Sequence, residues 1–148
     1  MNKLSDLQNL KTLILNKNKL TDSSFVEHIG SIENLSLKDN FINRLGYYPN
    51  LNLKYLELTN TNLQTVDGLE NYFNLEEIRL LDNELYNIDA LLNLPKLRIL
   101  NAQGNNISDV SKFAIKNSSV VDLNLRVNPI DCLYTSLKEV DGVVLSCP

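Results

Sequence analysis

The sequence predicts an α/β fold built as a curved, right-handed solenoid, with a parallel inner sheet and short helical or 3₁₀ turns on the convex side. Two observations carry this. The stretch LEEIRLLDNEL, Leu75 to Leu85, has aliphatic residues at positions one, four, six and eleven and an asparagine at position nine. Neither the period of two of a strand nor the period of about 3.6 of a helix gives that spacing, but a short strand running into a tight inward turn does. The same frame returns in LKTLILNKNKL from Leu10, IENLSLKDNFI from Ile32, LKYLELTNTNL from Leu53, LRILNAQGNNI from Leu97 and VVDLNLRVNPI from Val120. Position nine is Asn18, Asn40, Thr61, Asn83, Asn105 and Asn128, spaced by 22, 21, 22, 22 and 23 residues.

Each element of the unit has a physical reason. Within the strand, side chains alternate, so positions four and six face the core and positions three, five, seven and eight point out from the concave sheet. Where the chain turns inward, backbone N–H and C=O groups are buried without a ladder partner. An asparagine amide supplies both donors and acceptor there, so stacked units should form an asparagine ladder, and Thr61, with a single hydroxyl, should satisfy its turn less well. After the turn, Ile88, Leu91 and Leu94 are three apart, which suits a 3₁₀ turn; Asp89 is the expected cap, and Pro95 ends it before the next strand.

Residues 1–148 are expected to form one elongated domain, with six repeats over 10–130 and a cap over 131–148, because each unit buries its apolar face only against its neighbours. Leu4, Leu7 and Leu10 match the tail of a preceding unit, so the first strand near Leu13 is expected to present an open edge, covered by a few residues, by the rest of a longer chain or by a partner, homo-association included. Beyond Asn128-Pro129 the register fades. Asp141-Gly142 should turn, and VVLS should lie beside the last strand.

The pattern LxxLxLxxNxL resembles a leucine-rich repeat. The full unit Leu75, Ile78, Leu80, Asn83, Leu85, Ile88, Leu91, Leu94 and Leu97 resembles the 22-residue class of protein phosphatase 1 regulatory subunits and bacterial internalins. The resemblance covers Leu4 to Ile130 and implies a leucine-rich repeat solenoid used for binding proteins. Likeness to the phosphatase repeats implies a cytoplasmic regulator; likeness to internalins implies a bacterial adhesin or effector that binds a host protein. The run from Asn128 to Cys132 resembles the caps that close such domains, although those commonly carry four cysteines and this chain has two, Cys132 and Cys147. The pair would bridge in an oxidising compartment and stay as thiols in the cytosol.

Composition excludes several classes. A net charge of −4 and a pI near 4.9 oppose sequence-independent nucleic-acid binding, which needs a clustered basic surface. No window approaches a membrane span, and the start of the chain lacks the apolar core of a signal peptide, so the expectation is a cytoplasmic protein, or a secreted one if a signal has been removed. The one histidine, His28, is far along the solenoid axis from either cysteine, the glycines make no phosphate cradle, and no ligand cluster marks a metal. The chain is therefore expected to be no enzyme and to need no cofactor.

Function is expected on the concave grid, where residue identities change from copy to copy. Tyr55, Leu81 and Ile99 are apolar residues aimed away from the core, with Glu57, Glu77, Arg79 and Asp82 around them. An apolar centre with a charged rim has the make-up of a protein-binding hot spot. Single exposed apolar residues and a Glu77–Arg79 pair across the sheet face would look the same. The expected partner-binding set is Tyr55, Glu57, Glu77, Arg79, Leu81, Ile99, Gln103 and Asp122, serving a regulator, inhibitor or targeting subunit. The alternatives are a structural piece of a larger array and an adhesin or effector.

Overall fold

The structure, a computed structural model, describes residues 6–48, 51–110, 119–131 and 142–144. Seven parallel strands follow one another in the sheet in chain order: β1 Thr12–Ile14, β2 Asn34–Ser36, β3 Tyr55–Glu57, β4 Glu77–Arg79, β5 Ile99–Asn101, β6 Asp122–Asn124 and β7 Val143–Val144. Sheet order equal to chain order is the signature of a solenoid. The first six strands come from the six copies of the frame, and the seventh is Val143–Val144 of the expected VVLS segment, paired through Leu123 with Val143 and Asn124 with Val144; the rest of that segment lies outside the described residues. Cys132 and Cys147 lie outside the described residues, as does most of the expected cap.

Strands β1 to β6 are three residues long because only the middle of LxxLxLxx is extended before the chain turns. Position four supplies Leu35, Leu56, Ile78, Leu100 and Leu123 to the core, and position six supplies Leu37, Leu58, Leu80, Ala102 and Leu125, all buried. Leu13 and Leu15 hold the same two positions in the first unit but are only partly buried, since among the described residues β1 has a neighbouring strand on one side only.

At position eight every unit enters the left-handed region: Lys17 (φ 58°), Asp39 (57°), Asn60 (53°), Asp82 (52°), Gly104 (69°) and Val127 (57°). This is the inward corner. Asn, Asp and Gly tolerate it because they lack a bulky or branched Cβ, whereas Val127 is β-branched and strained there.

The position-nine side chains fill the space behind that corner. Asn83 Oδ1 accepts from Thr61 N–H at 3.0 Å and Leu63 N–H at 2.9 Å, and its Nδ2 donates to Leu58 O at 2.7 Å and Leu80 O at 3.1 Å. Asn40, Asn105 and Asn128 do likewise, accepting from Leu20, Leu85 and Ile107 and donating to carbonyls of their own and the preceding unit. Asn18 keeps only the bonds to its own unit, from Nδ2 to Leu15 O and Asn16 O. Thr61 lies within 3.0 Å of Leu58 O and 3.2 Å of Asn83 Oδ1. It has no amide oxygen for Ile42 N–H, which occupies the place that Leu20, Leu63, Leu85 and Ile107 hold in the other units.

On the convex side the described helical turns are all 3₁₀: Ser24–His28, Leu69–Asn71 and Asp89–Asn93. The 21-residue copy carries no helical turn over its described residues 42–48. Asp89 is the first residue of its turn and not its N-cap; that position is Ile88, which makes no side-chain cap bond, and Asn87 Oδ1 accepts from Asp89 N–H at 2.6 Å. His28 is exposed on this side.

Two further rows run along the side where the chain enters the strands. Lys11, Glu33, Lys54, Glu76 and Arg98 alternate in sign, and Glu33 pairs with Lys11 at 2.8 Å and Lys54 at 2.7 Å. Those two ammonium groups hold the Glu33 carboxyl down at about 2. Beside them Lys96 donates to Asn74 at 2.6 Å, and Asn74 to Asn52 at 2.5 Å.

Candidate binding face

Register brings the outward positions into rows. Thr12, Asn34, Tyr55, Glu77, Ile99 and Asp122 stand side by side, as do Ile14, Ser36, Glu57, Arg79, Asn101 and Asn124. Residues far apart in sequence thus share one surface.

Over β3 to β7 that surface hollows into a depression of about 500 Å³, lined by Lys38, Glu57, Thr59, Glu77, Arg79, Leu81, Ile99, Asn101, Asp122, Asn124, Arg126 and Val144. Six of the eight expected residues, Glu57, Glu77, Arg79, Leu81, Ile99 and Asp122, lie on its wall. Tyr55 and Glu57 border a smaller depression nearer the first strand. Gln103 stands beside the main one, its Oε1 accepting from Asn124 Nδ2 at 3.2 Å. Lys38, Asn101, Asn124 and Arg126 occupy the same outward columns and were legible by the same rule. Val144 was not, because β7 does not follow the repeat frame.

The side chains are held. Arg79 Nε donates to Glu77 Oε1 at 2.7 Å, and its Cζ lies 5.6 Å from the centre of the Tyr55 ring, a cation–π contact. The bond to Glu77 raises the affinity of Arg79 for its proton. Tyr55 Oη donates to Glu57 Oε2 at 3.0 Å. Burial first, and that bond second, push the phenol up to about 12, so Tyr55 is a neutral donor at physiological pH. Further on, Asn101 and Asn124 each accept the backbone N–H two residues ahead, from Gln103 at 3.2 Å and Arg126 at 3.1 Å.

Tyr55, Leu81 and Ile99 are each half-buried rather than fully exposed. More exposed apolar side chains include Ile14 (64%) and Val127, both in outward columns, and Phe41, Phe73 and Tyr86 elsewhere; the repeat frame gave no signal for the last three.

Several solved structures share this fold. Internalin C2 from Listeria monocytogenes superposes with a TM-score of 0.75 at 24% identity over 97% of this chain and 73% of its own. The fold is that of a leucine-rich repeat protein. A second Listeria monocytogenes internalin, InlF, gives a TM-score of 0.69 at 22% identity over 98% of this chain, and a leucine-rich repeat protein from Leptospira interrogans gives 0.71 at 22% over 99%. This chain spans 49% and 45% of those two. No protein-family model matches this chain, and no curated protein matches it in sequence. No helix among its described residues is long and apolar enough to cross a membrane.

Proposed function

We propose that this leucine-rich repeat chain is a non-catalytic interaction module whose concave face binds a protein partner, as a regulator, inhibitor or targeting subunit. The observation that carries the reading is the depression over β3 to β7, where half-buried Leu81 and Ile99 sit among charged and amide groups already fixed by the Arg79–Glu77 and Arg79–Tyr55 contacts. Side chains ordered before binding lose little freedom on association. The bet falls on Tyr55, Glu57, Glu77, Arg79, Leu81, Ile99, Gln103 and Asp122.

The test is affinity capture from the native source with wild type beside a Tyr55→Asp, Leu81→Asp double variant, folding checked by circular dichroism. A partner held by wild type and lost by the folded variant supports the reading. A partner held equally by both moves the site off this face.

A second reading is assembly through β1. It is favoured by one observation: β1 stands at the edge of the sheet, and Asn18 makes there only the bonds to its own unit. Light scattering at high concentration should then show a dimer or longer array, and a monomer removes the reading.

A further inference from the structure

The smaller depression, about 150 Å³ over β1 to β3, carries an imbalance of donors and acceptors. Ser36 Oγ lies 2.7 Å from Asn16 Oδ1 and 3.0 Å from Glu57 Oε2. A hydroxyl has one proton and can serve only one of them. The shorter contact assigns it to Asn16, whose Oδ1 also takes Lys38 N–H at 3.0 Å. Ser36 Oγ and Glu57 Oε2 are then left facing each other as two acceptors, with the Tyr55 hydroxyl the one donor to that carboxylate oxygen.

Resting on the reading that the concave face takes a protein, we propose that this depression seats the ε-ammonium group of a lysine side chain of the partner. An ammonium brings three donors and a positive charge to the place where a proton is lacking. Glu57 forms no ion pair among the described residues, whereas Arg79, the cation beside it, is engaged by Glu77. Ser36 is 5% exposed, so the acceptor pair forms the floor, and Ile14 at 64% exposure with the Tyr55 ring offers apolar walls for a methylene stem. Arginine fits less well. Its planar fork matches the two oxygens of one carboxylate, whereas the acceptors here, Ser36 Oγ and Glu57 Oε2, belong to two different groups 3.0 Å apart, a pair that a compact ammonium bridges.

The test is a ¹H–¹⁵N titration of the full chain with Nα-acetyl-lysine methylamide, beside the same compound acetylated on Nε. The free ammonium should shift the Ser36, Lys38 and Glu57 amides saturably in the millimolar range, the Nε-acetyl compound should shift none, and Glu57→Gln should weaken binding at least fivefold. Equal shifts with both compounds, no saturation, or tighter binding of Nα-acetyl-arginine methylamide overturn the proposal. The Nε-acetyl control is read on wild type, so the outcome does not depend on a variant folding. Failure here, with capture still lost in the Tyr55→Asp, Leu81→Asp variant, removes the lysine seat and leaves the concave reading standing; loss of both removes the face.

Discussion

Asn83 and Thr61 show how much one side chain decides in a repeat. Asn83→Ala strips the acceptor from Thr61 N–H and Leu63 N–H, both buried, and should cost about 2–4 kcal/mol by urea denaturation. Asn18→Ala, at an exposed turn where water replaces the amide, should cost less than about 1 kcal/mol. Thr61→Asn restores an amide oxygen for Ile42 N–H and should stabilise by about 1 kcal/mol, read as a raised midpoint with unchanged slope. Val127→Gly should also stabilise, by about 1 kcal/mol, by removing a branched Cβ from the left-handed corner. The Asn slot was legible because burial of a turning backbone demands that chemistry. The strain at Val127 was not, since φ does not appear in a hydrophobic pattern.

Among elements, β7 and the strand-entry ion row are the most exposed to test. Gly142 has φ 82°, and a Cβ there would run into the Val121 carbonyl, so Gly142→Ala should detach β7. Leu123 N–H and Leu125 N–H donate to Gly142 O and Val144 O, and their amide exchange should quicken while that of Leu58 and Leu80 holds. In the ion row, Glu33 has a carboxyl pKa below its ordinary 4.5, at about 2. The sign follows: its contribution is present above 4.5 and is lost as pH falls through 2. Stability measured from pH 5 to 2 should therefore fall more for wild type than for Glu33→Gln, with the difference shrinking in salt because the group is fully exposed. Strands β1 to β6 were legible from one aligned frame, and alternation named most of the depression wall. The convex side was less so: the N-cap of the Asp89–Asn93 turn is Ile88 and not Asp89, because loops there answer to local geometry and not to the repeat.

Taken whole, the molecule is a one-dimensional stack, and its ladder has a direction. Four of its asparagines close the unit before their own: Asn40 binds Leu15 O and Leu20 N–H, Asn83 binds Leu58 O and Leu63 N–H, Asn105 binds Leu80 O and Leu85 N–H, and Asn128 binds Ala102 O and Ile107 N–H. A chain leaving the ribosome therefore cannot complete the first, third, fourth or fifth turn until the asparagine of the following turn has also emerged, and at those turns the folded front trails the newest repeat by one full unit.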